Sequence, residues 1–126
     1  MFVIDPRQEL MLPEHFPESC TLLLHGYKEI FSETPPDSSD FIVIAGPDHP
    51  TDLVLLQQAA ETSAHYIGLM GSKKKITSFE KVLQRDNLWQ SLQNRLHAPI
   101  GIPISSRIPS EVAVSIVAEL IKIRAN

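Results

Sequence analysis

The sequence predicts an α/β fold in which helices pack on the faces of a parallel sheet. Three observations carry that expectation. First, four brief apolar runs (Phe2-Val3-Ile4, Thr21-Leu22-Leu23-Leu24, Phe41-Ile42-Val43-Ile44 and Ala64-His65-Tyr66-Ile67) are near-continuous rather than alternating, as in strands buried on both faces. Second, each run ends in polar or glycine-bearing residues: Asp5-Pro6-Arg7, His25-Gly26, Ala45-Gly46-Pro47 and Gly68. Third, helical patterns separate the later runs, and strands alternating with helices close into a parallel sheet through right-handed crossovers.

Between the strands, residues 27–33 read as a short helix with Ile30 and Phe31 as its apolar contact, and Pro35-Pro36-Asp37-Ser38-Ser39 as a loop. Residues 52–62 read as a helix with Leu53, Leu56 and Ala60 on one side, started by Thr51 or Asp52 as cap. Residues 72–85 place Ile76, Phe79, Val82 and Leu83 at helical spacing, and residues 87–96 suggest a second short helix. The last helix opens at Pro109 with Glu111 behind it and carries Val112, Ala113, Ile116, Leu120 and Ile123 on its inner face. Lys122 and Arg124 suit the negative end of its dipole.

The chain has 126 residues, the length of one domain, with 43% apolar and 21% charged residues. No apolar run approaches the ~20 residues that span a bilayer, and the N-terminus lacks the basic and apolar regions of a signal peptide. A cytoplasmic protein without membrane contact is expected. The net charge is −4 and the only basic run is Lys73-Lys74-Lys75, which argues against a nucleic-acid partner. Cys20 is the single cysteine, which excludes an internal disulfide or a CxxC pair. Its place before a strand suggests a small, half-buried side chain.

In an open α/β sheet, ligands bind beyond the carboxyl ends of the strands. There, Asp5 is placed to accept hydrogen bonds from ribose hydroxyls, and Arg7 to meet a phosphate; an Asp-Pro turn beside a surface arginine fits as well. Gly68-Leu69-Met70-Gly71-Ser72-Lys73 runs from a strand through a glycine-bearing turn into a helix. Gly68 and Gly71 allow close backbone approach, the helix N-terminus attracts an anion, and Ser72 and Lys73 add a hydroxyl and a charge. A tight turn with a solvated lysine face describes the same residues. Asp48 and His49, with Asp52, suggest proton handling, part of a metal site, or an ordinary polar loop with Asp52 as a helix cap. His97 and Gly101 flank Pro99 in a segment that either closes over a ligand or packs as a connection. No nucleophilic triad and no nucleophile elbow is present, so no catalytic residue and no metal ligand is assigned.

Three segments together resemble one family. VIDPR at 3–7, YIGLMGSKKK at 66–75 and HAPIGIPISSRIPSEVAVSIVAELI at 97–121 are similar to the C-terminal Rossmann domain of the XdhC/CoxI maturation factors. Asp48, His49 and Asp52 fall where that family carries a loop with His and Asp. The resemblance implies a Rossmann-like domain of an accessory factor that binds the molybdenum cofactor and assists its sulfuration and insertion into xanthine dehydrogenase-type hydroxylases. It implies a molybdenum hydroxylase and a cysteine desulfurase as partners. It also implies that the turn with Ser72 and Lys73 holds the phosphate of a pterin or nucleotide, with Asp5, Arg7, His97 and Gly101 lining the same crevice.

Family members carry a first strand and a glycine-rich turn ahead of the strand that holds Asp5, and this chain begins at that second strand. Ser105 stands where a glycine is usual, Ile108 where a capping threonine is usual, and Gly46-Pro47 replaces a more polar pair. A sheet without its central first strand leaves two edges unpaired, so a homo-oligomer or completion by another chain is expected. Two other functions compete with a non-catalytic assembly factor. One is an NAD(P)-binding oxidoreductase domain; the other is a partner-binding module whose crevice is vestigial.

Overall fold

The computed structural model describes residues 1–105 and 107–125. The chain forms two compact units, Met1–Pro35 and Pro36–Asn126.

In the first unit, β1 (Phe2–Asp5) pairs in parallel with β2 (Thr21–Leu24), Phe2 opposite Thr21 and Asp5 opposite Leu24. Two 3-10 turns, Gln8–Leu10 and Pro13–His15, lead from one strand to the other. Cys20 is half-buried just before β2, as expected. The helix expected over residues 27–33 does not form. Glu29 takes a φ of 53°, in the left-handed region that ends a right-handed helix, and Ile30 buries its side chain from a turn instead.

In the second unit, β3 (Phe41–Ile44), β4 (Tyr66–Leu69) and β5 (Leu96–His97) form a parallel sheet in that order. Phe41 lies opposite Tyr66, and Gly68 lies between Val43 and His97. The central strand β4 is buried at every position, which explains its unbroken apolar character. Val43, on the outer strand, is 44% exposed, because an edge strand is covered on fewer sides. Within each unit every strand pairing is parallel.

Among its described residues this unit has the helices α1 (His49–Ala60), α2 (Lys73–Arg85), α3 (Trp89–Leu92) and α4 (Pro109–Ala125). Helix α1 starts three residues earlier than expected, because Pro50 is tolerated in a first turn and does not break it. Its cap is Asp48, whose carboxylate accepts from the Thr51 amide, and not Thr51 or Asp52. Helix α3 covers only part of the helix expected over residues 87–96, since Asn87 with a φ of 61° breaks the chain out of α2 and Leu96 and His97 join the sheet. Leu56, Tyr66, Ile67, Leu69, Leu83 and Leu92 form the fully buried core. Arg95 donates to the carbonyls of Ala60, Thr62, Ala64 and Ser91, satisfying carbonyls at the end of α1 that no helical amide reaches. Among the described residues no helix is long and apolar enough to cross a membrane.

Candidate functional site

The glycine-bearing turn lies where strand β4 meets α2. Ser72 caps α2, its hydroxyl accepting from the Lys75 amide at 3.2 Å, while the Ser72 carbonyl accepts from Ile76. The amides of Lys73 and Lys74, the first of the helix, have no carbonyl one turn behind them and stand at the positive end of the dipole. Ser72, Lys73 and Lys74 are exposed. This is the geometry that an anion requires.

Beneath the turn lies a feature that the sequence does not announce. Lys75, the third residue of the basic run, is buried rather than solvated. Its ammonium forms an ion pair with Asp52, both side chains 5% exposed, and donates to the Met70 carbonyl at 2.8 Å. It also lies 5.6 Å from the centroid of the Phe79 ring. The other Asp52 oxygen accepts from the Gly46 amide at 2.7 Å. One ion pair therefore joins the ends of β3 and β4 to the first turns of α1 and α2. The spacing holds a signal of it, since Lys75, Phe79 and Leu83 follow at i, i+4 and i+8 on the buried stripe of α2. A charge on such a stripe needs a buried partner.

The glycines serve this interior packing. A Cβ on Gly71, where φ is 147°, would stand 2.6 Å from the Lys75 side chain, and one on Gly46 would stand 2.4 Å from an Asp52 oxygen. Above Gly68 the space is filled by Ile100 and the Tyr66 hydroxyl, at 2.4 and 2.6 Å from an added Cβ. Gly101, with a φ of 96°, makes room for Ser115 at 2.4 Å. At each of these four glycines the place of a Cβ is taken by the chain's own side chains.

His97 and Gly101 meet through Glu119 of α4, a residue that no sequence motif singles out. Its carboxylate accepts from the Tyr66 hydroxyl at 2.7 Å and from the Gly101 amide at 2.9 Å, and lies 3.6 Å from His97 Nδ1. The His97 ring stacks on Tyr66 with centroids 4.5 Å apart. Burial first, and then the Glu119 carboxylate, push the Tyr66 phenol well above its usual range. Glu119 also follows helical spacing, on the inward stripe with Val112, Ile116 and Ile123. Ala113, expected on that stripe, is exposed.

Asp48 and His49 open α1. Asp48 spends its carboxylate on the Thr51 amide, which holds its pKa down, and His49 sits exposed with its ring edge-on to Phe79 at 6.5 Å. Asp52, their expected companion, is committed to Lys75. Among the described residues no group of three or more His, Cys, Asp or Glu side chains is arranged to hold a metal ion.

In the first unit, Asp5 and Arg7 do come together at the end of β1. Asp5 accepts from the Arg7 amide at 2.8 Å, from Nε at 2.9 Å and from Nη2 at 2.8 Å. The Arg7 hydrogen bonds hold the Asp5 carboxyl below its usual range. A depressed carboxyl stabilises the fold above its unfolded pKa of ~3.9 and loses that contribution as pH falls through the folded value. Acid titration of stability is expected to show this loss in the wild type and a weaker acid dependence in Arg7→Ala. Identical acid limbs would mean that the pair does not persist in solution.

Parallel strands, crossover helices and a capped helix start at a strand end define a Rossmann-type domain with an anion-compatible turn. The XdhC Rossmann domain family model matches residues 1–120, and the chain belongs to that family. It is similar to the uncharacterized protein YqeB of Escherichia coli K12, with 32% identity over 98% of this chain and 23% of that protein. It is 27% identical to a protein of Bacillus subtilis 168 described as a probable xanthine dehydrogenase subunit, over 98% of this chain and 36% of that one. A crystal structure described as a xanthine dehydrogenase from Bacillus halodurans superposes with a TM-score of 0.77 at 26% identity, covering 97% of this chain and 34% of the other. The chain thus spans about a quarter to a third of the length of these relatives.

Proposed function

We propose that this chain is the cofactor-handling domain of an accessory factor for xanthine dehydrogenase-type molybdenum hydroxylases. In this reading it takes a phosphate-bearing ligand, the molybdenum cofactor or a nucleotide, at the turn between β4 and α2. The observation that carries the reading is the family match over residues 1–120. The relatives described as xanthine dehydrogenase proteins support the same association.

The residues at the turn fit a phosphate. The Lys73 and Lys74 amides, the Ser72 hydroxyl and the exposed lysine side chains supply donors and positive charge. When bound, the cofactor's phosphate group is the anion these donors match. Gly68 and Gly101 make room for Ile100 and Ser115. The Asp5–Arg7 pair gives the dinucleotide alternative its footing, because an acid at the end of this strand is the ribose acceptor of NAD-binding folds.

Calorimetric titration of the chain with molybdenum cofactor, NAD(H) and NADP(H) separates the two. Preferential binding of the molybdenum cofactor is expected; preference for a dinucleotide overturns the reading. In the Ser72→Ala, Lys73→Ala double variant, affinity is expected to fall about tenfold, or 1.4 kcal/mol. The lost cap costs only ~1 kcal/mol of stability, so the fold persists. Unchanged affinity in that variant removes the turn as the site.

A further inference from the structure

At the carboxyl end of β2 the chain sets a serine against a histidine, and the function proposed above uses neither. Strand β2 ends at Leu24, opposite Asp5 of β1. His25 follows directly, its amide donating to the Asp5 carbonyl at 3.4 Å. Beyond it the chain turns instead of forming the expected helix. Glu29 takes a φ of 53°, and the Ser32 amide donates to the Glu29 carbonyl at 3.0 Å. The turn returns the Ser32 hydroxyl to within 3.3 Å of His25 Nε2.

The other ring nitrogen decides where the proton lies. His25 Nδ1 stands 2.7 Å from the Gly26 carbonyl oxygen. A carbonyl oxygen only accepts, so Nδ1 carries the hydrogen, and in the neutral ring Nε2 is left as the acceptor. The Ser32 hydroxyl therefore donates to Nε2. A hydroxyl against the basic nitrogen of an imidazole, with a third group holding the other nitrogen, is the arrangement of an activated nucleophile. Its 3.3 Å separation is at the looser end for such pairs, which tighten when a substrate binds. The Gly26 carbonyl stands where a triad has its carboxylate, fixing the tautomer and the ring without adding a charge. The pair also lies beyond the carboxyl end of a strand, the edge at which open α/β sheets take their ligands.

We infer that His25 and Ser32 form a base–nucleophile pair that takes an acyl group from a small activated ester. Ser32 Oγ bonds to the acyl carbon as its proton passes to His25 Nε2. The bond from that carbon to the alcohol oxygen then breaks. The departing oxygen keeps the electron pair and takes the proton from Nε2, leaving O-acyl-Ser32 and the free alcohol. All these groups belong to the first unit, so the inference does not rest on the ligand proposed for the turn between β4 and α2.

Incubation of the full chain with p-nitrophenyl acetate, followed over time by peptide mass mapping, tests it. Ser39 is the internal reference, because its hydroxyl donates at 2.6 Å to the Asp37 carboxylate, a much weaker base than imidazole. Ser32 is expected to be acetylated about a hundredfold faster than Ser39, the size of a general-base contribution. His25→Gln is expected to remove that advantage. Acetylation of Ser32 no faster than that of Ser39 overturns the inference, and this comparison within the wild-type chain holds even where His25→Gln fails to fold. An unchanged Ser32 rate in His25→Gln overturns it as well, since the histidine would then take no proton.

Discussion

Lys75→Met is expected to lower the stability of the second unit by about 3–5 kcal/mol, the cost of leaving a buried charge without its partner. The substitution keeps the length of the side chain and its apolar stem, so the loss reports the ammonium. Asp52 would keep the Gly46 amide but lose the cation that compensates its burial, and the Met70 carbonyl would lose its donor. Replacing both partners tests the cause. In Asp52→Leu with Lys75→Met no charge remains buried, and most of the stability is expected to return, because apolar replacements of buried ion pairs are often neutral. Denaturant unfolding followed by far-UV circular dichroism measures all three proteins. A Lys75→Met variant as stable as the wild type would mean that the ammonium reaches water in solution.

The second large effect belongs to Glu119. Glu119→Ala takes the acceptor from the Tyr66 hydroxyl and from the Gly101 amide, and each unsatisfied donor costs about 1–3 kcal/mol. A total loss of about 2–5 kcal/mol is expected, with the α4 amides gaining hydrogen exchange ahead of the sheet. The phenol adds a pH dependence. Its folded pKa is raised, so its contribution is intact below the unfolded value of ~10 and declines as pH rises beyond it. Glu119→Gln removes the charge that helps to raise it and is expected to lower the alkaline titration of Tyr66, read by phenolate absorbance, while retaining an acceptor. If Glu119→Ala unfolds with the wild type, α4 is held by its apolar face alone.

These two residues show where sequence patterns stop being informative. Both sit on helical stripes whose apolar members the periodicity does identify, Phe79 and Leu83 on α2 and Ile116 and Ile123 on α4. A lysine in a run of three and a glutamate near a helix end each have a sufficient solvent-facing explanation, and a stripe gives the direction of a side chain without naming its partner. Asp52 lies 23 positions from Lys75, and Tyr66 lies 53 from Glu119. The candidate site is legible to the same degree. Ser72 as the start of α2 follows from the strand–turn–helix pattern, and the cap is there. What stands at the Cβ positions of Gly68, Gly71 and Gly101 (Ile100, Lys75 and Ser115) is not legible in the sequence, because the absence of a side chain does not name the distant group that fills its place.

By itself the sequence determined the α/β class, the starts of β1, β2 and β3 and the start of α4, because apolar run length, helical periodicity and terminal prolines are local properties of the chain. It determined the family as well, since motifs in order at fixed spacing survive in the sequence. Only the tertiary structure decided that Asp48 rather than Asp52 caps α1, that Leu96 and His97 complete the sheet, and that Lys75 and Glu119 turn inward. Those outcomes depend on which distant groups arrive within hydrogen-bond reach once the core has closed, where a buried charge or donor must find a partner or cost several kcal/mol.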